Sequence, residues 1–260
     1  MSLPIRLTGV TVRHGDLVAV DDVTAALPAG GLTAVLGPNG CGKSTLLRTV
    51  AGILAPHAGT VVVGERALGA HTRRELARTV GLLPQQPPVP PGLTVADLVR
   101  RGRHPHRSWL RAAGPGDEAA VERAMTQAHV RDLADRPLTD LSGGQRQRAW
   151  LALVLAQDTP VVLLDEPTTF LDLAHQYALL DLCAALRDAG RTVVAVLHDL
   201  SQAAAYADHV LLLRAGRLVA EGPVRQVLTP QTLARTYDIA CHVDLDAPHG
   251  GPVIVPLPRG

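Results

Sequence analysis

The octapeptide Gly37-Pro38-Asn39-Gly40-Cys41-Gly42-Lys43-Ser44 constrains this chain more than any other stretch. It fills every fixed position of G-x-x-x-x-G-K-[ST], a loop whose glycines let successive backbone N–H groups turn toward one anion. The flanks agree with it. Leu32 to Leu36 is an apolar run of buried-strand length, and Ser44-Thr45-Leu46-Leu47-Arg48-Thr49-Val50 opens a helix. The loop therefore meets a helix start, whose aligned peptide dipoles add roughly half a positive charge. Lys43 supplies a mobile full charge for outer phosphates, and the Ser44 hydroxyl is a ligand for Mg²⁺. Composition sharpens this: of 25 basic residues, Lys43 is the one lysine. A chain that uses arginine everywhere else places an ammonium here, where a wide planar fork would not fit a tight cradle.

With 260 residues, 47% hydrophobic and only 2% aromatic, the chain has an aliphatic core large enough for one large or two small domains. A net charge of +1 gives no electrostatic case for nucleic acid as a partner. Cys41, Cys183 and Cys241 are odd in number and widely spaced, which points away from a disulfide framework or a zinc site and toward a reducing compartment. The start, Met1 to Arg6, lacks the basic-then-apolar form of a signal peptide. The longest strongly apolar run, Ala149 to Ala156, is far short of the ~20 residues that span a bilayer. The expectation is a soluble, cytoplasmic chain linked to any membrane through a partner.

Before the loop, Leu7 to Val12 and Asp22 to Leu27 alternate like antiparallel strands, with His14-Gly15-Asp16 as their turn. Val61 to Gly64 reads as another short strand. Pro84, Pro87, Pro88, Pro90 and Pro91 crowd one stretch, which forbids regular structure and marks a hinge or lobe boundary. Helical signals follow over Thr94 to Arg103, starting on Thr94, and over Asp117 to His129, with Ala120, Val121, Ala124 and Ala128 near helical spacing. Arg100, Arg101, Arg103, His104, His106, Arg107 and Arg111 form a basic patch around a loop, either a solvated surface or a docking face. Strands at Val161 to Leu164, Thr192 to Leu197 and His209 to Leu213 alternate with helices at His175 to Ala189 and Ser201 to Ala207. That order implies a mostly parallel sheet covered on both faces. Thr229 to Gly260, with Pro230, Pro248, Pro252, Pro256 and Pro258, has weak periodicity and supports no structural expectation.

Val161-Val162-Leu163-Leu164-Asp165-Glu166 ends a buried strand in two acids. In a phosphate-loop protein this puts Asp165 at the carboxyl edge of the sheet, where it holds Mg²⁺ directly or through water. Glu166 points elsewhere and suits a base that polarises an attacking water. Between the two motifs lies Leu141-Ser142-Gly143-Gly144-Gln145, another helix start whose free N–H groups and serine hydroxyl make an anion site.

That pentapeptide resembles the signature of ATP-binding-cassette ATPases, and the resemblance extends over nearly the whole chain. It implies an α/β fold of the phosphate-loop NTPase class: a mixed sheet core, an antiparallel β subdomain and a helical subdomain. The ATPase domain would cover 1–228, with helices inserted at about 86–158 in a RecA-like core, and 229–260 would be a C-terminal extension. It also implies ATP and Mg²⁺ as ligands and a homodimer in which Ser142, Gly143, Gly144 and Gln145 of one copy cover the ATP held by the other. Gln85 resembles the switch glutamine that touches Mg²⁺ or its water, Asp172 the aspartate that communicates across the dimer, and His198 the histidine that contacts the γ-phosphate. Lys43, Ser142 and His198 would stabilise phosphate charge. Ser44, Gln85 and Asp165 would serve the metal, and Thr45 would join the phosphate cradle. His14 falls where the family places a large aromatic for adenine, so base stacking would be weaker and partly pH-dependent.

The loop itself, Gly102-Arg103-His104-Pro105-His106, Ala220-Glu221-Gly222-Pro223 and Val227-Leu228-Thr229-Pro230 are similar to ATPase subunits of iron-siderophore importers, relatives of the cobalamin and haem importers. Partners implied are two transmembrane permease subunits and an extracytoplasmic substrate-binding protein, with the chain on the cytoplasmic face of the membrane. An ATPase for another cargo or for export, and a soluble cassette acting on ribosomes or DNA, are the alternatives.

Overall fold

The computed structural model describes residues 2–107, 114–169, 171–244 and 253–257; Met1, Arg111, Phe170, Pro248, Pro252, Pro258 and Gly260 lie outside the described residues. The first elements are β1 (Ile5–His14), β2 (Leu17–Leu27), β3 (Leu32–Leu36), α1 (Lys43–Val50), β4 (Ala58–Val63), β5 (Arg66–Ala67), α2 (Arg73–Thr79) and β6 (Val80–Leu83). Next come α3 (Val95–Arg101), α4 (Pro115–Gln127), α5 (Gly143–Gln157), β7 (Val161–Asp165), α6 (Leu173–Asp188), β8 (Thr192–Val196) and α7 (Leu200–Tyr206). The chain closes with β9 (His209–Arg214), β10 (Arg217–Pro223), α8 (Val224–Val227), α9 (Pro230–Tyr237), β11 (Cys241–Asp244) and β12 (Val253–Pro256).

One sheet is antiparallel, in the order β2-β1-β4-β5; the other runs β10-β9-β3-β8-β7-β6 and is parallel except for the β9–β10 hairpin. A two-stranded β11–β12 ribbon stands apart from both. Successive residues of the parallel strands enter different cores. Ala34, Leu36, Val162, Leu164 and Ala195 pack with the helices, whereas Val35, Val161, Leu163, Val194 and Val196 pack with α1 and the antiparallel sheet. Both faces are covered, which is why these strands are unbroken apolar runs and carry no alternation. The β1–β2 pair, buried on one face only, does alternate, and it extends beyond the predicted six-residue runs at its turn end.

Thr94 caps α3 as the sequence suggests: its hydroxyl accepts from Asp97 N–H at 3.2 Å while the Asp97 carboxylate takes the Thr94 amide at 3.2 Å. The second helical expectation needs correction. α4 starts at Pro115, with Gly114 as its cap, so Asp117 is its third residue rather than its start. Asp117 is bound by Arg103 Nε at 2.9 Å and lies within 3.8 Å of Arg107, and the Arg103 hydrogen bond holds its carboxyl below the usual carboxylate range. Half of the predicted basic patch is thus internal wiring. His106 meets the Gln157 carbonyl at 2.7 Å, and Arg74 and Arg78 of α2 both donate to the Pro105 carbonyl, at 2.9 and 2.7 Å. These bonds tie the segment after α3 to α2 and to the end of α5.

Candidate functional site

The phosphate loop joins β3 to α1, and its shape is set by crowding from neighbouring strands. A Cβ at Gly37 would lie 2.1 Å from the Leu213 carbonyl oxygen, and one at Gly42 would lie 2.2 Å from that of Ala19. Both glycines sit in left-handed backbone, φ 149° and 101°. Close backbone approach therefore demands glycine at these two positions, independently of any phosphate. Gly42 caps α1, so Lys43, Ser44 and Thr45 form its first turn, where amides have no intrahelical partner. Lys43 is 5% exposed, and its ammonium donates to the Gly37 and Pro38 carbonyls at 2.7 and 2.9 Å. Cys41 turns inward, its Sγ 4.0 Å from Lys43 Nζ, and burial pushes its thiol above the ordinary value. Its contribution to an anion site is confined to its backbone.

A cleft of about 630 Å³ opens over the loop, lined by His14, Asn39, Gly40, Gly42, Lys43, Ser44, Thr45, Gln85, Glu166 and His198 among others. Behind Ser44 lies Asp165, fully buried at the end of β7, accepting from Ser44 Oγ at 2.7 Å through Oδ1. Its Oδ2 is buried without a hydrogen-bond partner, and desolvation raises its pKa against the pull of Ser44. An ionised oxygen buried next to a hydroxyl, with a lone pair unused, is what a hard divalent cation would satisfy. The donor set fits Mg²⁺ on that ground.

Glu166 follows with φ 51°, left-handed backbone rare for a non-glycine residue. Its Oε2 accepts from Gln85 Nε2 at 2.6 Å and lies 2.9 Å from His198 Nε2. Two residues 81 and 32 positions away in the chain thus converge on one oxygen, which Thr169 Oγ1 also reaches at 3.4 Å. Gln147, buried in α5, donates to the Pro167 carbonyl at 2.7 Å and to that of Glu166 at 3.3 Å, and so holds the turn that carries Glu166. Sequence reasoning missed Gln147, which sits between Arg146 and Arg148 in a polar run and carries no signal that sets it apart from its neighbours. His14, at the end of β1, sits on the rim with Nε2 3.4 Å from Thr45 Oγ1, beside Leu17 and Val18.

The signature residues lie elsewhere. Ser142 caps α5, accepting from Gln145 N–H at 3.2 Å, while the Gln145 amide oxygen takes the Ser142 N–H at 3.0 Å. The hydroxyl keeps its own proton to donate. Ser142, Gly143, Gly144 and Gln145 line a second cleft of about 380 Å³ with Arg148, Leu171, Asp172 and His175. Asp172 caps α6; the His175 amide donates to it at 2.9 Å and the imidazole Nδ1 lies 2.6 Å away, which together hold its carboxyl low. Arg148 and His175 were not singled out from sequence. The two clefts share no lining residue. One chain therefore presents two separate anion-ready faces, one built on the phosphate loop and one on the α5 start.

Comparison with known proteins adds to this geometry. A family profile described as ABC transporter matches residues 20–169. The ferric enterobactin transport ATP-binding protein of Escherichia coli (strain K12) is 44% identical over 257 residues, 98% of this chain and 95% of that protein. Among solved structures, one described as a metal-chelate type ABC transporter in an inward-facing conformation superposes with a TM-score of 0.82 at 29% identity, covering 99% of this chain and 98% of the other. The dimeric post-hydrolysis state of the ATP-binding cassette MJ0796, bound to ADP and Pi, superposes with a TM-score of 0.76 at 26% identity, covering 84% and 98%.

Proposed function

This chain belongs to the ABC transporter family as an ATP-binding subunit, and we propose that two copies of it, closing on two ATP molecules, power the import of an iron-siderophore or related metal chelate. The observation that carries the mechanism is the separation of the two clefts. A single copy surrounds a triphosphate on one side only, and the α5 start of a second copy supplies the missing side across a two-fold axis. Nucleotide binding and subunit closure then become one equilibrium.

In the closed pair Lys43 leaves its two loop carbonyls for the outer phosphates, and Ser142 and His198 add donors to the γ-phosphate. Ser44, Asp165 and Gln85 would hold Mg²⁺, which supplies charge neutralisation on the phosphate oxygens when bound. Glu166 orients the attacking water and takes its proton. Asp172, beside the signature cleft, communicates between the copies, and His14 packs on the base. Gln85, Gln86 and Pro87 face Gly143, Arg146 and Gln147 across a narrow cleft, so a movement at the γ-phosphate is passed to the helical side of the molecule. The partners would be two permease subunits and an extracytoplasmic substrate-binding protein. The chain would act peripherally, on the cytoplasmic face of the membrane, in keeping with the import ATP-binding subunits it resembles; among the described residues no helix is long and apolar enough to cross a membrane.

The test uses Glu166→Gln, which keeps the shape and removes the base. Turnover is expected to fall by roughly 10²–10⁴, the usual scale for a general base, while Mg-ATP drives the protein into a dimer measurable by light scattering. Near-normal turnover, or a protein that stays monomeric with ATP bound, contradicts the mechanism. Uptake of labelled ferric chelates by the reconstituted complex tests the cargo.

A further inference from the structure

The stretch after Thr229, unreadable from sequence, reaches the back of the phosphate loop. Thr229 caps α9 by accepting from Thr232 N–H at 3.2 Å, and Leu233 and Thr236 are fully buried, so this helix is packed against the body of the protein. α9 ends on Asp238 in left-handed backbone, φ 55°. Arg214, the last residue of β9, grips that end with a two-pronged fork: Nη1 and Nη2 meet the two Asp238 carboxylate oxygens at 3.0 and 2.6 Å, and Nη1 also donates to the Arg235 carbonyl.

Arg214 is covalently joined to two contacts with the loop. On its N-terminal side the Leu213 carbonyl presses on Gly37. On its C-terminal side Ala215 and Gly216 form a left-handed turn, φ 48° and 81°, that lines the nucleotide cleft. Gly216 N–H donates to the Cys41 carbonyl of the phosphate loop at 3.1 Å, and its own carbonyl accepts from Asp21 N–H at 2.8 Å. Tyr237, the residue before Asp238, is half-buried with its phenol near Cys41 and Gly37 of the loop, and burial pushes its hydroxyl well above the ordinary value. Two lines of contact thus run from this helix end to the loop, through Leu213 and through the 215–216 turn, with the Tyr237 ring half-buried beside them.

Granting the ATP site argued above, we propose that α9 is a working part of it: Tyr237 and Asp238 are positioning residues that brace the phosphate loop and the 215–216 turn in the geometry that receives a triphosphate. None of the residues assigned to the ATPase motifs falls in the 229–260 stretch. A brace of this kind acts on binding more than on chemistry, because it touches neither the γ-phosphate donors nor Glu166.

The experiment compares the full chain with Tyr237→Phe, with Asp238→Asn and with the exchanged pair Arg214→Asp/Asp238→Arg. The readouts are Mg-ATP affinity by calorimetry, kcat and KM, and melting temperature without nucleotide. Tyr237→Phe and Asp238→Asn are each expected to weaken Mg-ATP binding about three- to tenfold, the scale of one hydrogen-bonded contact. KM should rise in parallel, with kcat within about twofold of the parent. The exchanged pair should recover part of the affinity lost in Asp238→Asn. The proposal is overturned if both single variants bind Mg-ATP as tightly as the parent, or if lost affinity is matched by a collapse of nucleotide-free melting that the exchange does not repair. A parent chain that fails to bind Mg-ATP would instead retire the nucleotide reading, and this proposal with it.

Discussion

The two clefts are built on the same device, a helix start with free amides, yet they differ in how much of the site each chain completes. Around the phosphate loop the polar groups already have partners within the chain: Lys43 is held by two carbonyls, Ser44 by Asp165, and Glu166 by Gln85 and His198. Around Ser142 the groups are exposed and capped only by their own turn. The difference teaches that one half is wired within its own chain, whereas the other turns its polar groups outward. A helix start that finds no ligand within its own chain is explained when a second copy brings one.

The largest break in this comparison would come from mixed subunits. Lys43→Ala disables the first cleft and Gly143→Asp the second, so each variant alone should be nearly inactive. A one-to-one mixture contains dimers with one intact composite site, and about a quarter of parental turnover is expected if one site suffices. A mixture no more active than its parts would mean that the two clefts do not meet across copies.

A smaller effect sharpens the difference in burial. Asp165 is buried with its pKa raised by desolvation, so the unfolded chain ionises it more readily than the folded one does. That penalty is absent below the unfolded value of about 4, grows as pH rises through the folded value and is complete above it. Asp165→Asn should therefore raise the melting temperature of the nucleotide-free protein by a few degrees at neutral pH, and by nothing near pH 3. Mg-dependent turnover should be lost at the same time. An unchanged melting temperature at neutral pH would mean that Asp165 carries no such burden. No equivalent gain is expected from Asp172→Asn, whose carboxyl is exposed and held low by His175.

The smallest effect lies on the rim. His14→Tyr enlarges the ring beside Leu17 and Val18, and ATP should bind about twofold to fivefold tighter. Equal affinity in the two proteins would place the base away from this corner.

The strands and caps that were legible in the sequence share a property: their cause is local. Leu32 to Leu36 and Val161 to Asp165 are apolar because both faces are covered, and Thr94 announces α3 through a side chain three residues from its partner. The site motifs were legible for the same reason, since eight adjacent residues make the phosphate loop. What was not legible is long-range. The grip of Arg74 and Arg78 on Pro105, the Gln147 contact behind Glu166 and the clasp of Arg214 on the end of α9 join residues 20 to 31 positions apart in ways no periodicity records. α2 was missed although Thr72 and Glu75 form a capping box, because its seven residues leave no buried side chain to set a period. α4 was started two residues late because an aspartate near a helix start serves equally as cap or as third residue.

The convergence of Gln85 and His198 on one oxygen of Glu166 has a mechanical meaning. Gln85 donates to that oxygen at 2.6 Å, His198 Nε2 lies 2.9 Å away and Thr169 Oγ1 reaches it at 3.4 Å, which among the described residues leaves Oε1 as the oxygen without a protein donor. In the proposed mechanism the carboxylate would thus be anchored through one oxygen while the other meets the water.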